Sequence, residues 1–186
     1  MIKQIAIMKK LLNISILLCM SVMLFAQKTQ YERLMGTWTY QNGDTIFRVQ
    51  ISKVVPYDLE PGQNKYVAIG NYQLSVKGKM VQNYFSDELP DRITATPKSE
   101  IGNVTLYLYY SKYTPDLYAL IFYDMEKKHY DMTGIGMCSV EVLSPTRIKW
   151  TLNELDSWLT LYENSGKEYH PIGFSVPDNV ILTKEP

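Results

Sequence analysis

The chain has 186 residues, with 19 Lys and Arg balanced by 19 Asp and Glu, 46% hydrophobic residues and 12% aromatic ones. Three lysines and no acid fall in the first 26 residues, so the remaining 160 carry 16 basic and 19 acidic side chains, a net charge of −3. That balance excludes nucleic-acid binding through bulk positive charge, the apolar content excludes a disordered chain, and the length suffices for one self-supporting domain.

Lys9 and Lys10 precede an apolar run from Leu11 to Phe25, followed by Ala26 and the polar Gln27. A cationic start, an apolar stretch of about 15 residues and a small residue at its end have the form of a secretory signal peptide. The run is too short for a spanning helix, which needs about 20 apolar residues. Residues 1–26 are therefore read as a signal, with Met8 as the translation start because Met8-Lys9-Lys10 already opens a complete one. Residues 27–186 are then an exported domain, periplasmic or secreted, with no membrane span left after cleavage. Cys138 is the one cysteine of that domain, which excludes an intramolecular disulfide. Within Met137-Cys138-Ser139-Val140 it reads as a small buried apolar residue.

Past a predicted helical turn over residues 29–35, the pattern is period-two alternation in short runs broken by Gly, Pro, Asn and Asp. Residues 36–41 and 45–53 predict two strands joined at Asn42-Gly43, a strong hairpin signal. Phe47, Val49 and Ile51 share the dry face of the second. Over residues 66–76 the apolar phase switches from Val67 and Ile69 to Tyr72, Leu74 and Val76 across Gly70-Asn71, which predicts a β-bulge there. Lys77-Gly78 turns into a strand over 79–85. Residues 103–111 set Val104, Leu106, Leu108 and Tyr110 opposite Thr105, Tyr107 and Tyr109. An apolar strand follows over 117–124, then a loop or single helical turn over 125–131. Strands are predicted over 136–143 and 147–153, the second aligning Ile148, Trp150 and Leu152, and a further one over 157–162. A loop over 164–177 leads to a closing strand over 179–184. Residues 56–63 and 86–101 are the long connections, read as solvated insertions or as binding loops. Nine or ten short strands with no linker and no internal repeat predict one all-β domain, an antiparallel barrel or sandwich.

Leu34-Met35-Gly36-Thr37-Trp38 follows the helical turn and opens the first strand. This resembles the Gly-x-Trp opening of lipocalins and related calycin barrels. With the export signal, the chain resembles exported bacterial lipocalin-like domains of unknown function, from Gram-negative organisms. The resemblance implies a single antiparallel barrel of about 8–10 strands with one short N-terminal helical turn. In it Gly36 permits a tight turn and Trp38 closes the barrel floor beside an arginine from a late strand, for which Arg147 is available. It also implies a cup for a small apolar or amphipathic ligand, and Tyr72, Leu106, Leu108, Phe122 and Trp150 are the expected lining. An eight-stranded barrel is just wide enough for its own side chains or for one ligand. The alternative is therefore a packed barrel that meets an envelope protein or a glycan through its surface and exposed tyrosines.

Little catalytic chemistry is legible, and no catalytic residue, metal or cofactor is assigned. His129 and His170 stand 41 residues apart, with no His-x-x-x-His or Cys-x-x-Cys spacing. His129 with Asp124 and Asp131 is the nearest polar cluster and reads as a solvated loop. No nucleophile elbow, Gly-rich phosphate loop or Ser-x-x-Lys occurs. Glu154 and Asp156 offer two carboxylates whose separation in space sequence does not give. Asp44-Thr45-Ile46, at the first hairpin shoulder, resembles an acceptor triplet for periplasmic O-glycosylation.

Overall fold

The computed structural model describes residues 30–58, 64–94, 104–129, 134–157, 168 and 170–186. The expected signal over 1–26, Asp131 and residues 158–162 of the expected late strand lie outside them. A short N-terminal helical turn at residues 30–32 leads into ten strands. These are β1 (Gly36–Asn42), β2 (Thr45–Asp58), β3 (Asn64–Val76), β4 (Lys79–Asn83), β5 (Ile93–Thr94), β6 (Leu106–Tyr110), β7 (Leu117–Phe122), β8 (Ile135–Ser144), β9 (Arg147–Thr151) and β10 (Val180–Lys184). Eight of them close in the order β1-β2-β3-β6-β7-β8-β9-β10, with β10 returning to β1, every pairing antiparallel. The expected single antiparallel barrel is what the chain forms. β4 is a hairpin extension of β3, and β5 adds a short parallel pairing to the end of β2.

The local chemistry departs from expectation in four places. The first turn is Gly43-Asp44 rather than Asn42-Gly43, because Asn42 and Thr45 are still a cross-strand pair. Gly43 takes the positive φ that a two-residue hairpin demands. The bulge falls in β2, between Ile51 and Lys53, not in β3. Along β3 the even-numbered Ala68, Tyr72 and Leu74 face the barrel core throughout, while Val67 and Ile69 belong to a second cluster. The switch in pattern at Gly70 was two dry faces, not a change of face. β2 also runs on through Pro56 to Asp58, since Pro56, which lacks an N–H, still pairs with Tyr66. Finally, residue 157 belongs to a helical turn that includes 154–157 rather than to a strand.

Two hydrophobic clusters result. The larger fills the barrel and its floor and includes Leu34, Trp38, Phe47, Val49, Tyr72, Leu106, Leu108, Phe122 and Trp150, these nine without solvent-exposed surface. Across its middle, Phe47 (β2), Tyr72 (β3), Phe122 (β7) and Trp150 (β9) form a closed circuit of rings. Their centroids lie 6.2, 5.1, 5.4 and 5.8 Å apart in turn, all tilted or edge-on, as aromatic quadrupoles prefer. The smaller cluster lies on the outer face of β2, β3, β6 and the end of β7, where Val55, Tyr57, Val67, Ile69, Tyr107 and Tyr123 pack with Leu89 and Ile93. Residues 84–94 are therefore a strap, which corrects the solvated-insertion reading for 86–94, while residues 95–101 of that connection lie outside the described residues. The strap is pinned by β5 and by the Lys53 ammonium, which meets Asp91 and the Leu89 carbonyl.

At the floor, Trp38 Nε1 donates to the Leu34 carbonyl at 2.7 Å, and the cation over its ring is Lys184, at 5.1 Å. Arg147 is not that partner: it pairs in register with Thr183 and points to solvent. Lys184 holds the place because it is the cross-strand partner of Trp38.

Candidate functional site

The ladder between β3 and β6 covers only Ala68/Leu108, Ile69/Tyr107 and Gly70/Leu106. Two residues on, the register would set Tyr66 against Tyr110, but the Tyr31 hydroxyl stands between them. It donates to the Tyr66 carbonyl at 2.8 Å and accepts from the Tyr110 N–H at 2.9 Å. Tyr31 is held there by the β6–β7 turn: Tyr118 donates its hydroxyl proton to the Gln30 carbonyl at 2.6 Å, and Arg33 pairs with Asp116. Burial pushes the Tyr31 phenol up to about 12, so it remains a proton donor at neutral pH. Tyr31→Phe leaves a backbone N–H and a carbonyl without partners, an expected loss of about 2 kcal/mol. The Tyr110 amide is expected to lose hydrogen-exchange protection first. Unchanged exchange at Tyr110 would show that the seam does not depend on the hydroxyl.

Where the seam opens, a cleft of about 340 Å³ forms, lined by Tyr31, Lys65, Tyr66, Tyr109, Tyr110 and Lys112. Tyr109 is braced on Tyr57, with ring centroids 5.5 Å apart, and burial raises its pKa, so that wall stays neutral. Lys65 and Lys112 are exposed at the rim. Neither forms an ion pair or hydrogen bond among the described residues, and the Lys112 ammonium lies over the Tyr113 ring, 5.0 Å from its centroid. Among the described residues no acid lines the cleft. Flat apolar faces, phenolic donors and two ammonium groups equip it to hold a small molecule, and its size is at the lower end of small-molecule sites, about 300–1,000 Å³.

The opposite end of the barrel carries the polar cluster expected to be a solvated loop, and that expectation is corrected. Asp124 and His129 are both 2% exposed. The Asp124 carboxylate accepts from the Glu126, Lys127 and Ser175 amides at 3.1, 3.0 and 2.7 Å and from the Ser175 hydroxyl at 2.6 Å. Glu154 accepts from the Ile172 and Gly173 amides at 2.8 and 3.0 Å, with His129 Nε2 at 3.8 Å. The His129 ring stacks on Phe174 at 5.4 Å. These carboxylates fasten the loop over 170–176 across the barrel end. Each accepts from donors that sequence places 18 to 51 residues away, so they take a structural role.

Burial lowers the His129 pKa from its ordinary 6.5, outweighing Glu154 and Asp124, which act the other way; Lys127 reinforces the fall. The unfolded chain therefore takes up a proton first on acidification, and stability present above about pH 6.5 drains away below it. The melting temperature is expected to drop between about pH 7 and pH 5, and less steeply in His129→Asn. Parallel slopes for the two proteins would remove His129 from the cause.

The five expected lining residues, Tyr72, Leu106, Leu108, Phe122 and Trp150, are brought together in the barrel interior, each 0% exposed. A side chain that water cannot touch borders no water-sized void. Gly36 and Trp38 sit at the start of β1. Within the interior, the Trp150 Nε1–H has no acceptor. Cys138 is buried in the same core, its thiol pushed up to about 12 by burial, which denies it thiolate chemistry. Among the described residues no group of three His, Cys, Asp or Glu is placed to hold a metal, and no helix is long and apolar enough to cross a membrane. The cleft escaped the sequence reading because its lysines and tyrosines come from strand ends about 45 residues apart. The signal that existed was Lys65-Tyr66 and Tyr109-Tyr110-x-Lys112, a Lys–Tyr pairing at both.

A family model described as a family of unknown function (DUF6705) matches residues 8–185. No curated protein matches the chain. No solved structure matches it either.

Proposed function

The chain belongs to this family of unknown function (DUF6705), and we propose that it is an exported, lipocalin-like binding protein that takes its ligand on the outside of a packed barrel, in the cleft at the Tyr31 seam. The observation that carries the reading is the contrast between the two volumes. The interior side chains have no exposed surface, whereas the seam leaves about 340 Å³ edged by two uncommitted lysines. Export is supported by the signal-like residues 9–26, and the lipocalin-like character by Gly36-Thr37-Trp38 at the start of β1. A second reading, a ligand inside the cup beside Phe122, is favoured by one feature: the Trp150 indole N–H without an acceptor.

Native mass spectrometry of the protein isolated from its own cell envelope separates the two. The cleft reading expects a non-covalent mass of a few hundred daltons that is absent from Lys65→Trp, which fills the cleft, and retained by Trp150→Phe. Loss in Trp150→Phe with retention in Lys65→Trp would move the ligand to the interior. A bare mass throughout would leave the protein without a small ligand.

A further inference from the structure

We infer that the ligand of the seam cleft is a small acid carried on one or two flat rings, its oxyanion held by Lys65 and Lys112 and its rings lying on the tyrosine walls. The inference deepens the cleft reading and rests on it. Charge is its first ground. Among the described cations, Arg33 pairs with Asp116, Arg48 with Glu185, Lys53 with Asp91, and Lys127 with the Ile172 carbonyl, whereas Lys77, Lys79, Lys128, Arg147 and Lys149 are exposed without such a partner. Lys65 and Lys112 also lack such a partner, and differ from the others in sharing one cleft with no acid among its described lining residues. An anion entering there meets two positive charges and loses no pre-existing pair, so it is favoured over a neutral or cationic guest.

Shape and polarity supply the second ground. Four of the six described lining residues are tyrosines. Tyr31 and Tyr109 are fixed in place, the first by its two backbone hydrogen bonds and the second by Tyr57. Burial raises the pKa of both, so neither turns anionic and repels an acid at neutral pH. Rigid aromatic faces bind flat rings at low entropic cost, whether the C–H face of a sugar or an arene. The Tyr113 ring under the Lys112 ammonium positions that charge at the cleft rim while leaving its other donors open. The shared chemistry is thus a ring-borne carboxylate or equivalent oxyanion, available from a uronic acid glycan or from an aryl acid.

Isothermal titration of the purified protein at low salt tests this with two pairs of probes: digalacturonate against its methyl ester, and 4-hydroxybenzoate against the corresponding amide. The expected result is saturable binding of one acid and at least about tenfold weaker binding of its neutral partner. Lys65→Gln combined with Lys112→Gln is expected to weaken the acid by a similar factor at an unchanged melting temperature, because both lysines are exposed and unpaired. The acid that binds identifies the source. Equal affinity for acid and neutral partner overturns the inference, as does unchanged binding by the double variant or failure of both acids to bind. Neutral rings that bind and are lost in Lys65→Trp would overturn the acid while leaving the cleft as the site.

Discussion

Gly70→Ala is expected to cost about 3 kcal/mol or more, a large share of the stability of a domain. A Cβ at residue 70 would lie 2.0 Å from the Gln50 carbonyl oxygen and 3.0 Å from Ile51 Cα, all backbone atoms with nowhere to go. Gly70 pairs with Ile51 at the bulge in β2, where the two longest strands bend around the barrel, so relief would require the bend itself to shift. Gly136→Ala is the matched control, because nothing lies within 4 Å of a Cβ there and its φ is ordinary. Chemical denaturation should show a large loss for the first and little change for the second. Equal small losses would mean that the β2–β3 contact is looser than the structure shows.

Phe122→Ala is expected to cost about 3–5 kcal/mol, a fall of roughly 10 °C in melting temperature for a domain of this size. Phe122 is fully buried and touches both Tyr72 and Trp150 in the ring circuit, so truncation opens a cavity that neighbours fixed in rotamers cannot fill. An apolar cavity of that kind stays dry and takes up benzene. The variant is therefore expected to gain stability from benzene, and the unmodified protein to gain none. Benzene stabilising both equally would reveal a vacancy in the native barrel and favour the interior ligand.

The barrel was legible because its inward faces obey period two: Ile148, Trp150 and Leu152 in and beyond β9, and Leu106 and Leu108 in β6, are buried where alternation puts them. The outer cluster was not, since Val55, Tyr57, Val67 and Ile69 break that alternation and become intelligible only when the strap over residues 84–94 covers them. One dry face reads cleanly in sequence; two dry faces on one strand read as a bulge. His129 and Asp124 were misjudged for a related reason. Polar residues in a short loop signal solvent unless backbone amides from afar converge on them, as those of Ile172, Gly173 and Ser175 do on Glu154 and Asp124. The cleft lay deepest of all. It exists because a tyrosine from the N-terminal turn interrupts a ladder between strands that it precedes by 35 and 79 residues.

The location of the ligand is tested most directly by following the amide and indole ¹⁵N–¹H signals of the protein during titration with digalacturonate and with 4-hydroxybenzoate. The amides of Lys65, Tyr66, Tyr110 and Lys112 are expected to shift to saturation while the Trp150 indole signal stays in place. Movement of the Trp150 indole with the four cleft amides unmoved would put the ligand inside the barrel and contradict a packed core that binds at its seam.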